Sequence, residues 1–421
     1  MIEVAEASAT ILSEITPLAA ETIALERAAG RVLAARVVAE TTSPPWDNSS
    51  MDGYAIRSAD VALSGGTAGD APRLRVVATI AAGGLAPRPL GAGEAMRVMT
   101  GAPIPIGADS VIRIEDTDRG SDRVSILAFR DLRKNIRRAA EDFAEGETLF
   151  EPGTELRAAH LGALASAAVR SVEAHRRPRI AVISSGDELV ELRDYSSRVA
   201  GLRIVSSNSW TLPQLIRDAG GEPVDLGIAA DTPHSLRAKL EQARGCDLII
   251  TSAGVSVGDL DHVRSVFAEL GGELAFWKVK MRPGAPMAFG MLGGIPWLGF
   301  SGNPVSAMVS FEVFGRPVIR KMLGHSKLHR AAISVRLAES VEITAPLTHF
   351  LRASVSRSAD GAGAYVARLA GSQSSAVLTA MARANALLVV PAESRSNPAG
   401  STLSAIPLSD DLQMSERFEL Q

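Results

Sequence analysis

The sequence predicts a multidomain protein of mixed α/β and β architecture, and three observations support this prediction. The 421 residues exceed what one hydrophobic core accommodates, so roughly two to four domains are expected. Apolar runs alternate with amphipathic segments over residues 178–328, as they do in a parallel sheet covered by helices. Short alternating runs separated by glycines fill residues 51–139 and 329–421, which predicts a β module and a C-terminal β domain.

Each element follows from its local pattern. Residues 1–40 place apolar positions near helical spacing in two pieces, and residues 140–175 do so again. Between them, Ser43-Pro44-Pro45 marks a linker, because consecutive prolines exclude both helix and ladder pairing. The α/β region predicts, in order, strand 179–184, helix 209–219, strand 222–228, helix 234–243, strand 247–251, helix 261–270, a strand near 274–279, a hairpin of 287–290 with 296–300, and helix 304–322.

Composition narrows the class of protein. With 44 basic and 47 acidic residues the net charge is −3, so no general attraction to nucleic acid or membranes is expected. The single Cys246 excludes a disulfide framework and a thiolate metal site. No apolar run approaches the roughly 20 residues of a membrane span, and the first residues are acidic where a signal peptide is basic. We expect a cytoplasmic protein.

Three turns rich in small residues predict a ligand site in the α/β region. Each follows a predicted strand, and they comprise residues 184–189, 254–261 and 301–304. Open α/β sheets bind ligands outside the carboxyl ends of their strands, and glycines let backbone N–H groups face an anionic oxygen. A tight turn without ligand is the alternative for each turn alone. With the cations of Lys278 and Arg282, the three turns together favour a phosphate ester as ligand.

Four carboxylates that follow predicted strands suggest a metal beside that phosphate. Glu188, Asp231, Asp259 and Asp261 supply the oxygen ligands that Mg²⁺ prefers. Helix capping by Asp231 or Asp261 is an equally good explanation of those two residues. The seven histidines are scattered without metal-ligand spacing, and neither a Walker A loop nor a dinucleotide fingerprint is present.

An unusual polar run at residues 43–55 predicts a second group of functional residues. It combines Trp46, Met51 and Tyr54 with two aspartates and an asparagine, which a surface linker rarely does. An ordered interdomain loop is the alternative. Residues 99–103 and 135–142 add a hydroxyl, a cation and a carboxylate that are ordinary surface features when taken separately.

Together these motifs resemble the MoeA family, the molybdopterin molybdenumtransferases of molybdenum cofactor synthesis, a family that also supplies one domain of gephyrin. The Met-Asp-Gly-Tyr-Ala run of residues 51–55 is the most specific of them. The matching segments follow the family's order and spread over most of the chain, at residues 47–55, 99–103, 135–138, 185–189, 254–258 and 302–306.

The resemblance implies four domains and a dimer. They are an elongated helical domain (1–50 with 140–177), an inserted β module (51–139), an α/β molybdopterin-binding domain (178–328) and a C-terminal β-barrel-like domain (329–421). It also implies a homodimer whose active site lies in a cleft between subunits. There the α/β domain of one subunit would face the residues around Asp52, Thr100 and Asp142 of the other.

The activity that the resemblance implies is Mg²⁺-dependent. Adenylylated molybdopterin is hydrolysed, AMP leaves, and molybdate is ligated by the dithiolene. The implied metal ligands are Glu188, Asp231 and Asp261, which would be catalytic together with Asp52, Thr100 and Asp142. The adenylyltransferase that makes the substrate and the molybdoenzymes that accept the cofactor are the implied protein partners. The implied substrate-binding residues are Arg137, Ser185, Gly186, Gly254, Ser256, Gly258, Lys278, Arg282, Gly302, Asn303 and Pro304.

The chain departs from the family pattern at a few positions, and these keep other functions open. Ser301 replaces a usual proline, Ala253 replaces a usual glycine, and the usual Lys-Pro-Gly-Lys reads Arg282-Pro283-Gly284-Ala285. The loss of one cation leaves a non-catalytic molybdopterin carrier or scaffold as an alternative. Insertion of tungstate and the adenylyltransferase step itself are the other two alternatives.

Overall fold

The computed structural model describes residues 1–62, 71–196, 201–253, 262–358 and 365–414. Our predicted turn at 254–261, with Gly254, Ser256, Gly258, Asp259 and Asp261, lies outside these residues. The helices are α1 (Val4–Ser13), α2 (Ser58–Ala62), α3 (Ala158–Ser166), α4 (Asn208–Asp218), α5 (Pro233–Gln242), α6 (His262–Glu269), α7 (Pro304–Ser310), α8 (Arg316–Met322) and α9 (Leu378–Ala382), and a π-helical turn, Phe311–Gly315, joins α7 to α8.

The strands are numbered in the same way along the chain. They are β1 (Ala20–Ala24), β2 (Val37–Val38), β3 (Asn48–Ser49), β4 (Gly53–Ile56), β5 (Arg73–Ile80), β6 (Glu94–Val98), β7 (Ser110–Arg113), β8 (Arg123–Ser125), β9 (Ile136–Arg137), β10 (Thr148–Phe150), β11 (Ser171–His175), β12 (Arg179–Ser185), β13 (Leu189–Val190), β14 (Ile204–Val205), β15 (Glu222–Ala229), β16 (Leu248–Ser252), β17 (Gly272–Trp277), β18 (Met281–Arg282), β19 (Ala288–Leu292), β20 (Ile295–Phe300), β21 (Ile333–Leu337), β22 (Val341–Glu342), β23 (Thr348–Arg357), β24 (Tyr365–Leu369), β25 (Ala386–Val390), β26 (Ser396–Asn397) and β27 (Thr402–Pro407).

The chain forms two compact units. One unit comprises Met1–Glu21, Gly30–Ala34 and Ala174–Gln421, and it contains the α/β domain and the C-terminal β domain. The other comprises Thr22–Ala29 and Ala35–Glu173, and it contains the β module. No helix in the described ranges is long and apolar enough to cross a membrane.

The α/β domain is built on a six-stranded sheet in the order β15-β12-β16-β20-β19-β17. The first four strands are parallel, as the alternating pattern predicted. The predicted hairpin is also confirmed, because β19 and β20 pair antiparallel, and β17 pairs antiparallel with β19. Two successive reversals make β17 run in the same direction as the parallel strands.

Both faces of the central strands are covered, which explains their continuous apolar runs. Ile180 and Val182 of β12 pack in one core cluster with residues of α4, such as Leu212. The intervening Ala181 and Ile183 point to the opposite face and pack with residues of α5 and α6. This alternation places the helices on both sides of the sheet and leaves its carboxyl edge to the loops.

The C-terminal domain closes into a barrel. Its strands pair in the order β23-β24-β21-β27-β25, and β25 pairs back with β23 to complete five strands. The small residues Ala353, Ala367 and Ala405 and larger side chains such as Leu388 form its core. The predicted barrel-like domain is therefore confirmed.

The β module holds a five-stranded mixed sheet in the order β7-β4-β6-β5-β8. The strand β4 lies inside it and is buried at every position, from Gly53 to Ile56. The Met-Asp-Gly-Tyr-Ala motif therefore contributes a central strand as well as polar residues. Tyr54 is fully buried, and its hydroxyl donates to the Gly120 carbonyl at 3.0 Å.

Two helical predictions were wrong. Residues 1–40 contain one α-helix, α1, followed by the strand β1 and a short 3₁₀ turn, Leu25–Arg27. Residues 140–175 contain helix only in α3, which ends before Ala168, whose φ of 63° leaves the helical region. Beyond it, β11 alternates exposed and buried residues with the period of a strand. The alanine-rich composition favoured the helix prediction. Alanine also occurs in strands where tertiary packing requires a strand.

Candidate functional site

The carboxyl edge of the α/β sheet brings the predicted turns together. Ile183, Thr251 and Gly299 lie side by side in adjacent strands. The pairing continues from Gly299 to Ala288 of β19 and from Ala288 to Trp277 of β17. Lys278, the next residue, therefore lies at the same edge of the sheet as Ser252 and Phe300. Lys278 lies two strands from β20, a distance of about 10 Å.

A cavity of about 540 Å³ opens at this edge. Seven of the lining residues come from the predicted turns: Ser185, Glu188, Leu189, Ser301, Gly302, Asn303 and Pro304. Other walls come from the segment between β14 and α4 and from the ends of β16 and α9. A cavity of this size holds a ligand of drug or cofactor dimensions.

A cluster of serine hydroxyls lies beneath the cavity. Ser206 and Ser209 share a 2.7 Å hydrogen bond, and Ser252 donates to Ser184 at 3.2 Å. Ser206 also donates to Ser184, at 3.4 Å. Ser184, Ser206 and Ser252 are each at most 2% exposed. Each hydroxyl can both donate and accept, so these serines satisfy one another's hydrogen-bonding capacity. Ser206 and Ser252 also line the cavity.

Asn208, the first residue of α4, forms part of the same wall. Its Nδ2 donates to the Gly302 carbonyl at 2.9 Å, which ties the start of α4 to the Gly302 turn. Its Oδ1 is buried and has no hydrogen-bond partner among the described residues. Sequence reasoning missed Ser206, Ser209 and Asn208, because they precede or begin a helix and carry no glycine-rich signal.

Three acidic side chains lie near the ends of β12 and β15. Asp187 and Asp231 exchange hydrogen bonds: the Asp187 N–H donates to Asp231 at 3.3 Å, and the Asp231 N–H donates to Asp187 at 3.1 Å. The Glu188 carboxylate lies against Gly186, where a Cβ atom on that residue would come within 2.6 Å of Oε2. The alternative of Asp231 as helix cap is wrong, because Thr232 caps α5 by accepting from the Ser235 N–H.

Two non-glycine residues at this edge adopt left-handed backbone conformations. Ala253, at the position where the family usually has glycine, has φ 81°, and Lys278 has φ 83°. Such a conformation costs an L-residue roughly 1–2 kcal/mol, and strained backbone concentrates at functional sites. The Lys278 side chain is half-buried, and its carbonyl accepts from the Ile2 N–H at 3.2 Å.

Arg282 is placed differently from Lys278. It lies in β18, which pairs in parallel with the barrel strand β23 so that Arg282 is opposite His349. Its side chain is exposed, and neither Arg282 nor Lys278 is among the residues that line the cavity. His349 itself is 5% exposed. Burial lowers the pKa of His349, and the neighbouring Arg282 charge lowers it further.

The barrel contributes a loop to the cavity wall. Ala376 and Leu378 line the cavity, and the neighbouring Ser375 carbonyl accepts from the Val305 N–H at 3.2 Å. Arg352 of β23 is fully buried and holds this loop by donating to the carbonyls of Ser372 and Ser374 at 3.2 and 3.1 Å. Among the described residues its guanidinium has no carboxylate partner, and burial lowers its pKa.

The other unit brings together two of the predicted catalytic residues. The Asp52 carboxylate accepts hydrogen bonds from the Thr100 N–H and hydroxyl, at 2.7 and 2.8 Å. These bonds lower the pKa of Asp52, chiefly the bond from the backbone N–H. Both side chains are exposed. Asp142 is also exposed, and its backbone N–H donates to the Ser43 carbonyl at 3.0 Å.

Arg137 lies in the short strand β9, opposite Asn48 of β3. Its side chain is exposed, whereas Asn48 is 8% exposed and its Oδ1 has no partner in the described chain. The next residue, Arg138, forms a 2.6 Å ion pair with Asp47. The motifs at residues 47–55 and 135–138 are therefore joined by strand pairing and by charge.

The predicted metal ligands come together only in part. Glu188 and Asp231 lie at the ends of adjacent strands, and Asp261 is outside the described residues. Within the ranges that the structure describes, no group of three or more histidine, cysteine or acidic side chains could hold a metal ion.

The sheet, its polar cavity and the adjoining barrel define a multidomain protein built around an α/β ligand-binding domain. The chain belongs to the MoeA family: residues 2–168 match the MoeA N-terminal region (domain I and II), residues 181–321 a probable molybdopterin binding domain, and residues 334–408 the MoeA C-terminal region (domain IV).

Curated relatives carry the name of a transferase of cofactor biosynthesis. Molybdopterin molybdenumtransferase from Nostoc sp. is 36% identical over 376 residues, covering 88% of this chain and 85% of the relative. The Staphylococcus aureus protein of that name is 31% identical and covers 97% of this chain and 96% of its own. The molybdopterin biosynthesis moeA protein from Pyrococcus horikoshii superposes with a TM-score of 0.82 at 26% identity, over 97% of this chain and 100% of the other.

Proposed function

We propose that this protein is a molybdopterin molybdenumtransferase that acts on adenylylated molybdopterin. In this reaction water cleaves the phosphoanhydride, AMP leaves, and molybdate becomes bound by the two sulfurs of the dithiolene. The observation that carries the proposal is the cavity of about 540 Å³, which contains serines, asparagines and Glu188 and is formed mostly by the domain that matches a probable molybdopterin binding domain. Relatives of 31–37% identity that bear this enzyme name add support.

The residues at the cavity suit a substrate with phosphates at one end. The hydroxyls of Ser185 and Ser301 and the backbone N–H group of Gly302 are donors for phosphate oxygens, and the Lys278 ammonium adds a charge that favours an anion. Gly186 is proposed to contact the same substrate, and its own N–H donates to the Ala229 carbonyl at 3.3 Å. Arg282 is proposed to serve the same substrate through its guanidinium. Gly254, Ser256 and Gly258, in the turn outside the described residues, are proposed to bind the phosphate of molybdopterin.

We propose that Mg²⁺ accompanies the substrate and is held by Glu188, Asp231 and Asp261. One observation supports this role for Asp231: one of its carboxylate oxygens accepts from the Asp187 N–H, and no hydrogen bond within the described chain occupies the other. Two or three carboxylates, with waters and substrate phosphates, are the ligands that Mg²⁺ usually takes. When bound, the ion would polarise the phosphoanhydride and neutralise charge that develops on AMP.

We further propose that the protein is a homodimer and that Asp52, Thr100 and Asp142 serve the reaction from the partner subunit. The Asp52–Thr100 pair supports a functional role for these residues. Two hydrogen bonds orient the exposed Asp52 carboxylate in the absence of a ligand. We propose that Arg137, close in sequence to the Asp47–Arg138 ion pair, belongs to the same group.

The test is AMP release from adenylylated molybdopterin by the purified protein, with and without Mg²⁺ and molybdate. Release that requires both establishes the enzyme, and Glu188→Ala and Asp231→Ala should then reduce it by about 100-fold or more while the oligomeric state is unchanged. Glu191→Ala, on the other side of the short strand β13 and outside the cavity lining, is the matched control and should retain full release.

The other outcomes identify the alternatives. Tight binding of molybdopterin without AMP release indicates a carrier or scaffold, for which the departures at Ser301 and Ala285 are the motivating observation. Consumption of nucleotide instead of AMP production indicates the adenylyltransferase step. Release that is faster with tungstate than with molybdate indicates a tungsten-inserting enzyme.

A further inference from the structure

A second cavity, of about 590 Å³, lies at the far ends of three helices that also contribute to the cavity proposed to bind the substrate. Helix α4 begins at Asn208, which lines the substrate cavity, and ends about 15 Å away at Asp218, which lines the second cavity. Helix α7 likewise contributes Pro304 to the first and Met308 to the second, and α9 contributes to both. Among the described residues none lines both cavities, so the second is a separate site.

One wall of the second cavity carries two guanidinium groups that share a single carboxylate. Glu312 accepts from Arg316 Nε at 2.9 Å and from Arg330 Nε at 2.7 Å. The side chains of Glu312 and Arg316 are 5% and 9% exposed, and Arg316 Nη1 also donates to the Asp218 carbonyl at 3.4 Å. These bonds orient both guanidinium planes, while Glu312 balances only one of the two positive charges.

The remaining guanidinium nitrogens are open to the cavity. Nη2 of Arg316 and both Nη atoms of Arg330 have no hydrogen-bond partner within the described chain. None of them is among the fully buried atoms that lack a partner, so each keeps accessible surface. Arg316 is otherwise buried and lines the cavity, so its accessible surface lies there. The cavity therefore offers charged donors that a bound group can reach.

The backbone beside this cluster is also irregular. Glu312 lies in the π-helical turn Phe311–Gly315 that joins α7 to α8. Such turns are rare and occur frequently at functional sites. This observation is independent of the charges, and it favours a binding role over a purely structural ion-pair network.

We propose that the second cavity binds a small organic carboxylate, which Arg316 and Arg330 hold through their free N–H groups. A guanidinium presents its donors in a planar fork that matches the two oxygens of a carboxylate. Side chains on the other walls suit the apolar part of such a molecule, and they are Leu215, Met308, Met381 and Leu408.

Two further acids set the charge of the ligand. Asp218 and Asp410 also line the cavity, and within the described chain neither forms an ion pair with Arg316 or Arg330. Their carboxylates repel a second negative charge, so they select a monoanion over a phosphate dianion.

The test follows methionine methyl resonances of the full-length protein by NMR during titration with benzoate. Met308 and Met381 line this cavity and are absent from the lining of the substrate cavity, so their shifts report binding here. Replacing each methionine by leucine assigns its resonance. Inorganic phosphate is titrated in parallel, and sodium chloride of equal ionic strength is the control for screening.

We expect benzoate to shift both resonances saturably in the wild-type protein. Arg330→Gln leaves the Arg316–Glu312 pair in place and should weaken binding roughly tenfold or more, because one charged fork is lost. Arg316→Lys keeps the charge beside Glu312 and removes the fork, so it should weaken binding as well. The matched control is Arg383→Gln, an exposed arginine directly after α9 and outside the cavity lining, which should bind as wild type does.

Wild-type protein without saturable shifts would overturn the proposal. An equal loss of affinity in Arg383→Gln would also overturn it, because general attraction by surface charge would then explain the binding. Phosphate that binds more tightly than benzoate would refute the assignment of a carboxylate. Melting temperatures identify a variant that fails to fold, and Arg316→Lys decides if Arg330→Gln is that variant. AMP release is measured separately, so none of these results bears on the proposed function.

Discussion

Thr100 holds the Asp52 carboxylate through two donors on one residue, its backbone N–H at 2.7 Å and its hydroxyl at 2.8 Å. Both bonds reach the same oxygen, Oδ1, so the second oxygen is left to face solvent. Hydrogen bonds to the charged form lower the pKa of the carboxyl group, which keeps Asp52 ionised. The pair is thus an oriented anion that needs no ligand to form.

The first prediction tests this orientation. Thr100→Val removes the hydroxyl and keeps the backbone donor, so we expect the pKa of Asp52 to rise while remaining below its usual value. A carboxyl ¹³C titration by NMR measures the change. Thr79→Val, an exposed threonine of β5 that does not contact Asp52, should leave the titration unchanged. An unaltered pKa in Thr100→Val would show that the backbone bond alone accounts for the effect.

The second prediction concerns the proposed dimer. Asp52→Ala and Asp231→Ala should each be inactive alone, because each homodimer lacks one half of both sites. After subunit exchange in an equal mixture, half of the dimers are mixed and each has one complete site, so about a quarter of wild-type AMP release should return. If the subunits exchange and the mixture stays inactive, both residues belong to a site formed within one subunit.

The third prediction concerns the backbone of Ala253. Its φ of 81° strains an alanine, so Ala253→Gly should raise the free energy of unfolding by about 0.5–1 kcal/mol after the entropy cost of glycine is subtracted. Denaturant titration measures it. Ala159→Gly, at an exposed position within α3, should lower stability by roughly the same amount. Destabilisation at both positions would indicate that the surroundings stabilise the left-handed Ala253.

The fourth prediction concerns pH. The pKa of His349 is lowered in the folded protein, so in acid the unfolded chain binds its proton first and stability falls as the pH drops below about 6.5. The loss is roughly 1.4 kcal/mol for each unit that separates the folded and unfolded pKa values. Chemical unfolding at pH 7.5 and in steps below 6.5 measures it. His349→Asn should remove this part of the pH dependence, while the exposed His329→Asn should retain it.

The α/β domain was predicted well because its central strands are buried on both faces. Continuous apolar runs such as the β12 and β16 sequences have few alternatives in a soluble chain, and glycine-rich turns marked their ends. The family resemblance added the barrel, which the structure confirms through the pairing of β23 with β25. By contrast, β1 and β11 were mistaken for helix, because their alanine-rich surroundings place apolar residues near helical spacing although tertiary packing selects strand there.

The candidate site was predictable where chemistry and sequence coincide. Asp52 and Thr100 were both chosen from motifs, and their mutual hydrogen bonds could not be read from residues 48 positions apart. Gly53 has a structural role that its motif did not indicate. A Cβ atom at this position would come within 2.0 Å of the Ile112 carbonyl oxygen, so only glycine fits there. Asn208 was missed because an orphaned acceptor is a property of packing and has no sequence signature.

The Ser375–Val305 hydrogen bond ties the last third of the chain to the first turn of α7, and Arg352 fixes the loop that makes it. The barrel is therefore part of the wall of the cavity and cannot be treated as an independent attachment. Replacing the C-terminal domain with that of a relative would also replace the loop at 372–378. One wall of the cavity would then consist of the relative's residues. A domain that contains none of the proposed catalytic residues therefore helps to set the shape of the ligand site.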